Sequence, residues 1–246
     1  MMIRIKAVTL LLMTLGFQGL NAQIKVPSIL KQIPSSQAGQ PSVEEIGSGI
    51  KEALQTGVSN GTSRLSAVNG FLNNPSVKII FPAEAQKAEK TLRGLGFNDI
   101  CDNVITSLNR AAEEAAKEAL PIFMSSIKQM TLKNASNILL AKDQDAATQY
   151  FKTTTTSQLS EKFKPIIQSN LDKAGATKYW ATATSQYNKI PMTGKINTDL
   201  NDYVTQKALA GLFHEIAEEE LKIRKNNSYR ASPLLQKVFA YADNNN

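Results

Sequence analysis

The sequence has one cysteine, Cys101, one histidine, His214, and one tryptophan, Trp180, in 246 residues. A lone thiol cannot close an intramolecular disulfide, so a disulfide scaffold is excluded, and burial is the expected state of Cys101. One histidine leaves no Cys/His cluster for structural zinc, and it cannot supply the Glu-x-x-His pairs of a di-iron bundle. A nucleophilic triad would need His214 as its base, and nothing around it marks a nucleophile. His214 does open the stretch His-Glu-Ile-Ala-Glu218, the start of a zinc-protease motif, but the second histidine one turn later is missing. Turning each residue by 100° points His214 about 140° away from the apolar stripe of its helix, so it is expected in solvent. No motif calls for a cofactor.

Long apolar runs are equally scarce. The one present, Ala7 to Phe17, follows the basic start Met1 to Lys6 and precedes Gln18-Gly-Leu-Asn-Ala22. That is the n-region, h-region and cleavage-site order of a secretory signal peptide. At about 1.5 Å per residue the run spans roughly 16 Å of helix, against about 30 Å of hydrocarbon, so it is too short for a stable anchor. The expectation is cleavage between Ala22 and Gln23, no transmembrane segment afterwards, and a periplasmic or secreted product. The formal charge of +7 falls to about +5 once Arg4 and Lys6 leave. That charge is interleaved with acids rather than gathered on one face, which argues against nucleic acid as a partner.

Gln23 to Pro41 carries three prolines among Ser, Gln and Gly and reads as a flexible tether. At Ser42-Val-Glu-Glu45 a capping box opens a helix whose stripe is Val43, Ile46, Ile50, Leu54, Gly57, Gly61, Leu65 and Val68. The two glycines on that stripe mean either close approach of another backbone or a break. Asn69 to Pro82 reads as a loop with one short extended piece. A helix from Pro82 to Leu92 stops at Gly94 and Gly96, and the next is capped by Asn98 or Asp99. Its stripe, Cys101, Val104, Ile105, Leu108, Ala112, Ala115 and Ala119, is alanine-rich and is expected at the close-packed centre, with Pro121 kinking or splitting it. Further helices are read from Thr131 to about Leu140 and from Asp143 to Phe151. After a cap in Thr153 to Ser157, another runs to Gly175, followed by Ala176 to Tyr187, a connector from Ile190 to Asn197, and Asp199 to about Lys225. Ser232-Pro233 opens a short terminal helix. The reading is all-α: one compact multi-helix domain of about eight helices over residues 42–241, with a disordered tail at 242–246.

The candidate site lies on the last long helix. Leu209, Phe213, Ile216 and Ile223 define its apolar face, and Glu220 falls about 20° from Leu209 in the middle of it. A carboxylate there must be paired, protonated or solvated by a pocket, and Arg224 stands four residues on in the favourable order. The ligand-binding or core polar network is therefore Glu220, Arg224 and Asn109. Asn109, at the edge of its helix's apolar sector, could satisfy a neighbouring backbone. Arg110 lies nearly opposite, and Glu113 with Lys117 reads as a surface pair.

The segments NRAAE (109–113), IKQMT (127–131), AATQYF (146–151), YVTQKALAGLF (203–213), AEEELKIR (217–224) and LLQKVF (234–239) occur in this order. In them the chain resembles the bacterial family catalogued as domain of unknown function 4197, over roughly Ser42 to Phe239. The resemblance implies an exported helical protein of Gram-negative bacteria and carries no catalytic residue. The expected function is a non-catalytic binding or scaffolding protein of the envelope, with an envelope protein or a small ligand as partner. The alternative is a carboxylate-dependent hydrolase acting on an envelope polymer, with Glu220 as acid or base; paired carboxylates in an open groove would favour it, and a Glu220 sealed against Arg224 would favour a structural role.

Overall fold

Ser42 caps its own helix: its Oγ accepts from Glu45 N at 3.1 Å, while Glu45 Oε2 accepts from Ser42 N at 2.7 Å. The structure, a computed structural model, describes residues 39–178, 180–181 and 199–245. The signal peptide, nearly all of the tether, the second half of the 176–187 helix and the 190–197 connector fall outside those residues. From Ser42 the helices are α1 Val43–Ser66, α2 Gln86–Gly94 after a 3-10 turn at Ala83–Ala85, α3 Asn98–Ala116, α4 Ala119–Gln129, α5 Leu132–Leu139, α6 Ala146–Lys173, α7 Leu200–Lys225 and α8 Pro233–Asp243. Among the described residues there are eight α-helices and no strand, and none is long and apolar enough to cross a membrane.

The core forms where α1, α3, α6 and α7 meet, with α4, α5 and α8 packed around α1. Ala111, Ala112, Ala115 and Ala116 of α3 are wholly buried and let the neighbouring backbones close in. Phe123 of α4 sits edge-on against Phe151 of α6 and Phe213 of α7, with ring centroids at 5.0 and 6.2 Å. The glycines of α1 mark close approach and not a break. A Cβ on Gly57 would meet Glu219 Cβ at 3.5 Å, and one on Gly61 would meet Glu215 Cβ at 3.6 Å, both on α7. The two ends of the expected stripe, Val43 and Val68, are exposed, Val68 because α1 has already stopped at Ser66.

Several boundaries differ from the sequence reading. Neither Asn98 nor Asp99 caps α3. Gly96, at φ 90°, turns the chain out of α2 with Phe97 N bonded to Leu92 O, and α3 starts at once with Asn98 as its first residue. Pro121 falls in the first turn of α4, after a turn at Lys117–Glu118, so the chain is split there and not kinked. The threonine run interrupts nothing: α6 is one helix of 28 residues. Thr153, Thr154, Thr155 and Thr156 each donate Oγ1 to the carbonyl four residues back, and the buried row Phe151, Thr155, Leu159, Phe163, Ile167, Leu171 runs straight through them. Burial of that row outweighs the weak helix preference of threonine. At the C-terminus α8 extends to Asp243, past the expected edge at Tyr241, because Ala242 is buried.

Candidate functional site

Glu220 reaches out of the apolar face of α7 and meets the start of α6. Its Oε1 accepts from Ala147 N at 3.0 Å, and its Oε2 accepts from Thr148 N and Thr148 Oγ1, both at 2.9 Å. Those amides are in the first turn of α6, whose own cap residue, Asp145, makes no capping bond. The carboxylate of a distant helix thus does what a local cap would do. Arg224, one turn on, adds Nε and Nη2 to Glu220 Oε1 at 3.0 and 2.8 Å, and donates Nη2 to Ile138 O in the last turn of α5 at 2.8 Å. An anion at a helix start and a cation at a helix end both suit the helix dipoles.

This geometry limits the chemistry. A carboxylate offers about four lone-pair sites, and five protein donors already converge on Glu220. Both of its oxygens are taken up by the chain itself, and neither is left free to face a substrate. The cavity beside it, between Leu54, Ile138, Phe151, Ile216, Ile223 and Phe239, has a volume of about 30 Å³. That is room for a single water, against about 150 Å³ for a benzene-sized guest.

Asn109 belongs to a different place. Its Oδ1 accepts from Ile79 N and its Nδ2 donates to Ile79 O, both at 2.8 Å, with a further bond to Ile105 O. The carboxamide holds the Asn69–Pro82 loop as a neighbouring strand would, and Val77, Ile79 and Phe81 turn inward alternately. The structure therefore brings Glu220 and Arg224 together, while Asn109 shares no hydrogen bond with either.

Four buried charged groups, Glu113, Glu215, Glu219 and Arg230, escape the sequence reading. Glu113 is no surface partner of Lys117, which pairs with Glu114 instead. Glu113 is buried, accepts from the backbone amides of Phe71 and Leu72 at 3.1 and 3.2 Å, and pairs with Arg110, whose Nη2 also donates to Asn69 Oδ1. Glu215 and Glu219, one turn apart on α7, are both buried against α1. Arg64 Nη2 lies 2.9 Å from Glu215 Oε2 and 2.8 Å from Glu219 Oε1. Asn74 donates to Glu215, and Asn60 and Lys222 donate to Glu219. Burial pushes the Glu219 carboxyl up, but the bonds from Lys222 and Asn60 and the charge of Arg64 outweigh it and hold it below its ordinary value of 4.5. The signal was available in the glycines: a notch at Gly57 and Gly61 makes room for side chains of whichever helix lies against it. Arg230, finally, is buried and caps the end of α7, donating to Ile223 O and Arg224 O at 3.0 and 2.7 Å and pairing with Asp243.

His214 is exposed, and burial pushes the Cys101 thiol up. Among the described residues no three His, Cys, Asp or Glu side chains converge on a common point that could hold a metal. Set beside known proteins, residues 40–240 match the family model described as Protein of unknown function (DUF4197). No curated protein and no solved structure matches the chain.

Proposed function

The chain belongs to the DUF4197 family, and we propose that it is an exported, non-catalytic binding or scaffolding protein of the bacterial envelope. The observation that carries the non-catalytic part is the saturation of Glu220: every lone pair that a general acid or base would use is engaged by α6 and Arg224. Glu113, Glu215 and Glu219 are each engaged on both oxygens by three donors of the chain itself. A hydrolase needs an acid facing an open groove, and Glu220 has none. Export is supported by the order of charge, apolar run and small residue at the N-terminus.

Fractionation of a Gram-negative host expressing the full chain, with N-terminal sequencing of the product, tests this. The expected product starts at Gln23 and appears in the osmotic-shock fraction. A cytoplasmic product that keeps Met1 would refute export. Hydrolysis of envelope glycan or peptide by the purified protein, lost in Glu220→Gln at unchanged melting temperature, would refute the non-catalytic reading.

A further inference from the structure

Between α4 and α6 the surface holds a cleft of about 90 Å³ lined by Ser125, Ser126, Gln129, Tyr150, Thr154 and Gln158, with no charged side chain in its wall. Its hydroxyl protons can be traced. Thr154 Oγ1 donates to Tyr150 O at 2.9 Å, so the 2.8 Å contact between Ser126 and Thr154 takes its proton from Ser126. Tyr150 Oη turns its proton to Ser126 O at 3.3 Å. Three hydroxyls thus spend their protons inside the protein and present lone pairs to the cleft. Around them, Gln129 gives one N–H to Ser125 Oγ at 3.1 Å and keeps the other, and the carboxamide of Gln158 has no partner among the described residues.

The complement of such a wall is a neutral molecule rich in hydrogen-bond donors that also carries acceptors for the two carboxamides. An anion would find neutral donors but no positive charge, and a cation would find no carboxylate. Hydroxyls on adjacent ring carbons meet both demands, and the volume, equal to about three waters at about 30 Å³ each, matches one edge of a sugar ring. Ser126 is buried, and the groups stand on two packed helices, which fixes their spacing. We infer that the α4–α6 cleft is a binding site for a neutral sugar unit of a glycan. The inference deepens the binding role proposed above and rests on it for the source of the sugar; the chemistry of the cleft stands apart from it.

The test is a titration of the isotope-labelled protein, followed by amide correlation spectra, with N-acetylglucosamine as the probe and glucosamine and glucose 6-phosphate as charged comparisons. Saturable shifts are expected in the side-chain amides of Gln129 and Gln158 and in the backbone of residues 125–129 and 150–158, with half-saturation in the millimolar range, of order −4 kcal/mol. Gln158→Ala and Thr154→Val should each weaken binding about tenfold. The inference is overturned by an absence of saturable shifts, by equal shifts in Gln158→Ala, or by charged sugars that bind as tightly as the neutral one. If a variant loses its fold, the wild-type titration and the charged comparisons decide. Because this readout is binding and not location, it can fail while export holds, and the reverse.

Discussion

At Glu220 the cost of removing a carboxylate from water is offset by five donors, three of them from α6, and this decides how substitutions should behave. Glu220→Ala leaves Arg224 without its anion and two amides without an acceptor, and should lower unfolding free energy by about 3–5 kcal/mol in urea titration. The pair Glu220→Leu with Arg224→Met should cost less than the sum of the single changes. It should not return to wild type, since the Ala147 and Thr148 amides stay unpaired at a cost of about 1–3 kcal/mol. Additive single changes would mean that the two side chains do not act together. Glu219 sets a pH dependence. Its folded pKa lies below 4.5, so the stability it contributes is fully present above pH 4.5 and is lost as pH falls through the folded value. In Glu219→Gln the loss of melting temperature below pH 4.5 should be shallower than in wild type; an identical acid limb would refute the role. Glu220 and Arg224 are legible because one helical wheel contains both the anomaly and its partner. Glu113, Glu215 and Glu219 are not, because the partners from other elements that explain their burial lie 41 to 159 residues away.

Among the helices, what can be read depends on whether the stop signal is local. The capping boxes at Ser42 and Thr131 and the Ser232-Pro233 start are complete within four residues, and all three are where the sequence places them. The threonine run of α6 reads as a boundary because its hydroxyls can serve a cap or bond back within a helix, and only the buried row beneath them selects the second use. The glycines of α1 allow a sharper statement. Gly57 needs no special dihedral, and a Cβ there would find ordinary contact with Glu219 at 3.5 Å. Gly57→Ala should therefore stabilise the protein by about 1 kcal/mol through helix preference and a less flexible unfolded chain. Gly70→Ala should do the opposite, since its Cβ would lie 2.1 Å from Arg64 O and 2.7 Å from Leu65 O, both backbone. Thermal melts of the two variants should move in opposite directions, and a shared direction would contradict the packing of α1.

Across the whole molecule five polar side chains, buried or nearly so, each tie a helix end or a loop to another element. Glu220 starts α6, Arg224 ends α5, Arg230 ends α7, Glu113 holds Phe71 and Leu72, and Asn109 holds Ile79. Short helices such as α5 and α8 are marginal alone and gain their stability from packing and from such ties. The C-terminus shows how far the dependence extends. Asp243 is half exposed, but its partner Arg230 is almost wholly buried, so the anion matters more to Arg230 than its own exposure suggests. Ending the chain after Tyr241 would remove that anion and the buried Ala242 together. Arg230 would keep the carbonyls of Ile223 and Arg224, which places the expected loss at the lower end for a broken buried pair, about 3 kcal/mol. Ending it after Asp243 should change nothing measurable. Hydrogen exchange adds a spatial check: in the shorter chain, protection should fall first in α8 and in the last turn of α7, while α3 keeps its rates until global unfolding. Equal stability of the two truncated chains would show that the last turn of α8 is dispensable and that Arg230 does not tie it to α7.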